Sequence, residues 1–165
     1  MKVELDIIRE DREWDSSSEI SDELISTICR ASLEDFPYFK NCTVNIAILL
    51  TGDGSMQKLN AKFRGKDKPT NILSFPDCEI NRKDLLEKTL DKDYIYIGDI
   101  ACSHQTILGE SREAGLGMLA HLAHILVHGI LHLVGYDHER NDLEAEEMMH
   151  KEIEILQKLS IKSPY

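Results

Sequence analysis

The sequence predicts an α+β fold, with a four-stranded mixed sheet packed against helices and a central histidine-bearing helix. Apolar and polar residues alternate over residues 3–7 and 44–50, which is typical of half-buried strands. Residues 71–75 and 94–101 carry β-branched and aromatic residues and predict two more strands. Helical patterns interleave irregularly with these strands, which favours an α+β arrangement.

Two helices are predicted in the N-terminal half. Serines at 16–18 and Ser21 offer N-caps for the first, whose apolar stripe contains Ile25, Ile28 and Cys29. Residues 51–54, Thr-Gly-Asp-Gly, predict a turn. The second helix follows this turn, with three apolar residues at helical spacing: Met56, Leu59 and Phe63.

The second half contains two loops and two helices. Residues 77–93 are predicted to be a surface loop with one helical turn, and residues 108–117 a glycine-rich loop. Residues 118–134 are apolar on every side except for histidines and one glycine, which indicates a buried helix. Asn141 and Glu144 resemble a capping box that begins a terminal helix. Its predicted core stripe contains Ala145, Met149, Ile153 and Leu156.

Length and composition predict one domain spanning residues 1–165 and no membrane segment. The chain has 42% hydrophobic and 30% charged residues, as a globular protein does, and contains no apolar run of about 20 residues. Acidic residues occupy the place where a signal peptide needs an apolar core, so a cytoplasmic location is expected. The four cysteines form no C-x-x-C pair and receive no function.

Three histidines, in the run HGILHLVGYDH at residues 128–138, are the predicted metal ligands. His128 and His132 are four residues apart and share one helix face. Gly135 is suited to end that helix in a left-handed conformation, after which the chain can carry His138 back over the first two imidazoles. Three nitrogen ligands with an open fourth position are typical of a catalytic zinc site, where a bound water ionises near neutral pH. One Zn²⁺ per chain is expected, although imidazoles also accept other divalent transition metals such as Ni²⁺.

The same spacing occurs in metzincin proteases, which carry H-E-x-x-H-x-x-G-x-x-H. In those enzymes the glutamate after the first histidine is the general base. Gly129 stands at that position here and cannot take up a proton. The spacing therefore favours a hydrolase, and the missing base argues against a peptidase.

Three segments together resemble the YbeY family of bacterial metal-dependent endoribonucleases: HGILHLVGYDH, KFRGKDKPTNILSFP at 62–76 and GDI at 98–100. The resemblance implies a single-strand-specific endoribonuclease that acts in ribosomal RNA maturation and ribosome quality control. It also implies association with the ribosome or ribosome-associated proteins. Arg64 falls at the family's catalytic arginine, and a guanidinium is well matched to a charge-rich phosphodiester transition state.

The net charge of −11 argues against an RNA partner, but the charge is unevenly distributed. Residues 58–68 contain five basic side chains and one acidic, a local net charge of +4. Lys66 and Lys68 are predicted to contact the RNA backbone.

Two alternatives remain open, a zinc metallopeptidase-like hydrolase and a non-catalytic ribosome-associated factor with a structural metal. The roles of several polar residues are also open. Asp137 is expected to support an imidazole, His124 to lie near the site or in the core, and His121 to lie too far along the helix to share the metal. For Thr70, Ser74 and Asp99 the sequence does not decide between support of the arginine loop and strand capping.

Overall fold

The computed structural model describes residues 1–16, 19–162 and 164–165 of the chain. Within these residues the sheet has four strands: β1 (Lys2–Arg9), β2 (Thr43–Thr51), β3 (Ile72–Pro76) and β4 (Tyr94–Ser103). The α-helices of the described residues are α1 (Asp22–Leu33), α2 (Asp53–Arg64), α3 (Arg82–Glu87), α4 (His104–Glu113), α5 (Met118–Leu133) and α6 (Asp142–Lys158). Two short 3-10 helices lie at Arg12–Asp15 and Pro37–Phe39.

The sheet is mixed and has the strand order β1-β2-β4-β3. Strands β1, β2 and β4 run parallel, whereas β3 pairs antiparallel with β4 at the edge of the sheet. Four strands in a mixed sheet, packed with helices, confirm the predicted α+β class.

Helix α5 lies at the centre of the molecule. Ten of its sixteen residues are buried, because it contacts β3, α1, α4 and α6 on different sides. Apolar residues all round the helix explain this position, since each face meets another element. The prediction of a central histidine-bearing helix is confirmed.

Helix N-termini follow the predicted caps in two cases. The Ser21 side chain accepts a hydrogen bond from the Leu24 amide at the start of α1. The Asn141 side-chain oxygen accepts one from the Glu144 amide, and the Asn141 side-chain amide donates to the Glu144 carboxylate. This pairing resembles a capping box, although the backbone amide of Asn141 is not the donor. Ser16 instead ends a 3-10 helix, and residues 17 and 18 lie outside the described residues.

Two predictions about helices were wrong in detail. The expected loop over residues 108–117 is helical as far as Glu113, because α4 buries Ile107 and Ser111 and only then turns at Gly115. The predicted helix with Met56, Leu59 and Phe63 is confirmed as α2, in which Met56 is buried and Phe63 is 55% exposed. The buried stripe of α6 is shifted from the predicted one and contains Met148, Glu152, Ile155 and Leu156.

No single helix of the described residues is long and apolar enough to cross a membrane. Helices α4 and α5 meet the length and composition test only when they are taken together, and the bend between them is 115°.

Candidate metal centre

Helix α5 places two of the predicted ligands side by side. His128 and His132 lie one turn apart on the same face, and their Nε2 atoms are 3.1 Å from each other. Their rings stand nearly perpendicular, with centroids 4.6 Å apart. The four-residue spacing alone therefore brings both imidazoles to one point.

The turn after α5 supplies the third ligand. Gly135 has φ = 93°, a left-handed conformation that side chains rarely adopt. A Cβ atom there would lie 2.8 Å from the Ile80 carbonyl oxygen, so the turn also requires a residue without a side chain. The chain then reverses and brings the His138 ring to within 5.1 Å of both other rings, measured between centroids.

The three histidines form a group that could hold a metal ion. One ligand atom from each lies within 4.8 Å of the others. In the parts of the chain that are described, this group contains no fourth His, Cys, Asp or Glu. His128 and His132 are partly buried and His138 is exposed, so the centre is open on the side of His138.

Hydrogen bonds at the far side of two rings set their tautomers. The His132 Nδ1–H donates to the Tyr136 carbonyl oxygen at 3.0 Å, because a carbonyl can only accept. The His128 Nδ1–H donates to the Glu152 carboxylate at 2.7 Å. Both rings therefore turn Nε2 toward the cluster. Burial and the neighbouring His128 and His138 lower the pKa of His132 to about 4, so that this ring is neutral at pH 7.

These contacts fit a transition-metal site. Zinc binds imidazole nitrogen at about 2.0–2.1 Å, which places two ligands of a tetrahedron about 3.3 Å apart. The 3.1 Å between the Nε2 atoms of His128 and His132 is close to that separation. Imidazoles suit zinc, copper, iron and nickel, so this ligand set does not select one metal.

The centre lies in a cleft of about 890 Å³ that also contains Arg64. Arg64 is the last residue of α2, and Gly65 follows in a left-handed conformation with φ = 67°. The Arg64 side chain is 43% exposed, and its Nη2 atom lies 3.1 Å from the carboxylate of Glu139, the residue that follows His138. Arg82 and Arg140 also line the cleft, so three arginines border the space that contains the histidines.

Gly129 lies where α5 packs closely against the edge strand β3. A Cβ atom there would be 2.4 Å from Ile72 Cδ1 and 3.0 Å from Ser74 Oγ. The Ser74 hydroxyl donates to the Gly129 carbonyl at 3.0 Å. Close helix–strand packing therefore explains the glycine, and a glutamate has no room here without displacing β3 side chains. Ser74 thus joins α5 to β3.

The other predicted polar residues have distinct places. Asp137 does not contact an imidazole, contrary to expectation. Its carboxylate accepts a hydrogen bond from the Glu139 amide at 2.8 Å and pairs with Arg140 at 3.0 Å. These contacts stabilise the turn that carries His138. The Glu139 amide, with burial opposing it, lowers the pKa of Asp137. Thr70 lines the cleft.

Two positions lie away from the metal ligands. His121 contacts Glu110 at 2.8 Å and is outside the metal group, as expected from its place on the helix. Asp99 lies on β4 and interacts with Tyr96 of the same strand. Burial and the hydrogen bond with Asp99 raise the pKa of Tyr96 to about 12.

Sequence reasoning missed Glu152, the acidic residue that contacts His128. Glu152 is 1% exposed and lies in the buried stripe of α6. A carboxylate in phase with Met148, Ile155 and Leu156 was a signal that could have revealed it, because a charged residue rarely occupies a core stripe without a partner. Burial opposes ionisation of Glu152, but hydrogen bonds from His124, His128 and Tyr165 outweigh it and lower its pKa to about 2.

Comparisons with known proteins show the family to which the chain belongs. The family model "Endoribonuclease YbeY" matches residues 7–160. A curated relative, the endoribonuclease YbeY of Erythrobacter litoralis (strain HTCC2594), is 37% identical over 166 residues, covering 100% of this chain and 98% of that protein. The solution structure of TM1509 from Thermotoga maritima is similar in fold, with a TM-score of 0.53 and 24% identity over 95% of this chain and 92% of that one. The chain belongs to the YbeY endoribonuclease family.

Proposed function

We propose that this protein is a metal-dependent endoribonuclease that cleaves single-stranded RNA in ribosomal RNA processing and ribosome quality control. The observation that carries the proposal is the convergence of three imidazoles in an open cleft that also contains Arg64. Family membership supports an endoribonuclease acting on RNA. We further propose that residues 1–165 form one hydrolase domain that works in the cytoplasm, in contact with the ribosome or its associated proteins.

His128, His132 and His138 are the proposed ligands of one Zn²⁺ ion, with Ni²⁺ as another metal that the ligand set accepts. A zinc ion held by these histidines would supply Lewis-acid chemistry that activates water near neutral pH. With the metal in that role no separate glutamate base is needed, which is consistent with Gly129. The protein contributes the fixed ring orientations, through the contacts of both Nδ1 atoms described above.

Arg64 is the proposed catalytic arginine. Its guanidinium borders the cleft that contains the histidines and is free enough to reorient, because its partner Glu139 is itself 63% exposed. A planar fork of N–H donors matches two phosphate oxygens and stabilises negative charge that develops on them. Lys66 and Lys68 follow Arg64 in sequence and are proposed to contact the RNA backbone.

An exposed aromatic residue beside Arg64 supports the choice of single strands. Phe63 is 55% exposed and stands edge-on to Phe75, with ring centroids 5.0 Å apart. The Lys62 ammonium lies 5.0 Å from the Phe63 ring centre. Aromatic faces next to basic side chains are typical of single-stranded nucleic acid binding, because unpaired bases can stack on them.

Gly129 argues against the peptidase alternative. A zinc peptidase needs a general base after the first histidine. Position 129 holds a glycine, and a Cβ atom there would lie 2.4 Å from Ile72 Cδ1 and 3.0 Å from Ser74 Oγ, so a longer side chain would have to displace both. A structural metal is disfavoured in turn because the described part of the chain offers no fourth ligand to close the site.

The decisive experiment compares variants in cleavage of a fluorescent single-stranded RNA, with metal-loaded and nuclease-free protein. We expect His128→Ala to abolish cleavage and Arg64→Ala to lower kcat by about 10²–10³-fold, the usual cost of a lost transition-state donor. His150→Ala and Arg112→Ala are matched controls, since both side chains are exposed and lie outside the cleft.

Three outcomes would contradict the proposal. Unchanged cleavage in His128→Ala or Arg64→Ala would remove the assigned residues. Equal cleavage of a perfect RNA duplex would remove the single-strand preference. Digestion of casein by the wild-type protein, lost in His128→Ala, would favour the peptidase instead.

A further inference from the structure

Glu152 is a charged side chain in the hydrophobic core. It is 1% exposed and shares one face of α6 with Met148 and Ile155. Burying a carboxylate is costly unless hydrogen bonds replace its water shell. A residue kept in such a place is either compensated by its partners or a source of instability.

Both oxygens of Glu152 are compensated, and the partners lead to the metal centre. Oε1 accepts from His128 Nδ1–H at 2.7 Å. Oε2 accepts from the Tyr165 hydroxyl at 2.7 Å and lies 3.2 Å from His124 Nε2. The carboxylate therefore joins α6, α5 and the C-terminal residue through one buried set of contacts.

The contact with His128 determines which nitrogen that ring offers to a metal. An ionised carboxylate only accepts hydrogen bonds, so the proton of the His128 ring must reside on Nδ1. The Nε2 lone pair then points toward His132 and His138. His132 obtains the same orientation from a backbone carbonyl, which is neutral. Of these two ligands, only His128 has a negatively charged partner at Nδ1.

We propose that Glu152 is a positioning residue for the metal centre, which fixes the tautomer and ring orientation of His128 and supplies a negative charge behind this ligand. This inference rests on the proposed function only in that the three histidines bind a divalent transition metal. Carboxylates behind ligating histidines raise the basicity of the ring, and their loss typically weakens metal binding by about 10–100-fold. Tyr165 and His124 have the further task of holding Glu152 in place.

The test measures Zn²⁺ affinity by competition with a chromophoric chelator in the full-length protein. We expect Glu152→Gln, which keeps the shape but not the charge, to weaken binding about 10-fold, and Glu152→Met, which removes the acceptor as well, to approach 100-fold. Tyr165→Phe should have a smaller effect in the same direction. Glu110→Gln is the matched control. Glu110 lies on α4 and contacts His121, which is on α5 like His128 but outside the metal group, at 2.8 Å, so this change should leave Zn²⁺ affinity unchanged.

A second readout needs no metal. Long-range ¹⁵N–¹H NMR of the metal-free protein should show His128 as the Nδ1–H tautomer in the wild type, and a mixture of tautomers in Glu152→Met. If Glu152→Met fails to fold, Glu152→Gln and Tyr165→Phe decide the question by the same two measurements.

The outcomes separate this inference from the proposed function. Wild-type protein that binds no Zn²⁺ would contradict the metal site itself, while the tautomer measurement would still report on Glu152. Wild-type affinity and an unchanged His128 tautomer in folded Glu152 variants would overturn the positioning role and leave the endoribonuclease proposal intact. An equal loss of affinity in Glu110→Gln would show a general effect of lost acidic charge, and would also overturn the role.

Discussion

Gly135 shows how a single residue determines the geometry of the metal centre. The residue combines φ = 93° with an approach of its Cβ position to 2.8 Å from the Ile80 carbonyl. Backbone atoms, unlike the end of a side chain, cannot move aside without shifting the segment to which they belong. The direction in which the chain continues toward His138 therefore depends on the absence of a side chain at this position.

We expect Gly135→Ala to lower the free energy of unfolding by about 1–3 kcal/mol, the usual cost of a left-handed residue with a side chain. It should also weaken Zn²⁺ binding, because His138 moves relative to His128 and His132. Urea unfolding and chelator competition measure the two effects. Gly54→Ala is the control: nothing lies within 4 Å of its Cβ position in α2, so stability and metal affinity should not fall. Equal behaviour of the two variants would contradict this account.

At the scale of elements, α6 contacts the metal centre through Glu152, whose carboxylate accepts a hydrogen bond from His128. Two of its lysines, Lys151 and Lys158, pair with Asp35 just after α1. Burial opposes ionisation of Asp35, but the hydrogen bonds and charges of the two lysines outweigh it and lower its pKa below the usual value. A carboxyl whose pKa falls on folding stabilises the folded state at pH values above its unfolded pKa, and this contribution is lost as the pH falls.

Asp35→Asn should therefore lower the free energy of unfolding by up to about 1 kcal/mol at pH 7, the range of partly exposed ion pairs. The difference from wild type should shrink as the pH falls below about 4, where the unfolded carboxyl becomes protonated. Urea unfolding at pH 7 and pH 3 measures it. A double-mutant cycle with Lys158→Met checks that the lysine is the partner; additive effects of the two substitutions would contradict the pairing.

The same elements show what the sequence could reveal. His128, His132 and His138 were predictable because helix periodicity and one glycine turn act over eleven consecutive residues. The local pattern could have indicated that Glu152 is buried, but not that it contacts His128, since this contact spans 24 positions and depends on how α6 packs against α5. The same packing shifted the α6 stripe. Similarly, the predicted glycine-rich loop is helical as far as Glu113, because α4 buries Ile107 in the core. This burial depends on tertiary packing, which no local sequence pattern encodes.

At the scale of the whole molecule, the charge of the chain opposes its proposed substrate. The net charge is −11, whereas residues 58–68 carry a local net charge of +4 at the end of α2 and beyond it. RNA affinity should therefore depend on a small number of phosphate contacts near the cleft. Each such contact with a single strand contributes about −0.7 to the slope of log affinity against log salt concentration.

We expect Lys66→Ala and Lys68→Ala each to weaken binding of single-stranded RNA and to reduce the salt slope by about 0.7. Fluorescence anisotropy with a labelled RNA, in a cleavage-deficient His128→Ala background and over a range of salt concentrations, measures both. Lys2→Ala is the control, because Lys2 lies on β1 at the opposite edge of the sheet from β3. If Lys66→Ala and Lys68→Ala showed the same salt slope as Lys2→Ala, the proposed contacts with the RNA backbone would be refuted.

The pairing of Arg64 with Glu139 has a consequence for which anions the cleft admits. A tethered carboxylate competes at an effective concentration in the millimolar range, so a lone phosphate ion must displace a partner that never diffuses away. Arg82, paired with Glu147, and Arg140, paired with Asp137, present the same competition. A polynucleotide that engages several of these guanidinium groups at once gains from multivalency, whereas a free mononucleotide does not. We therefore expect the internal ion pairs to favour polynucleotides over small anionic metabolites in this cleft.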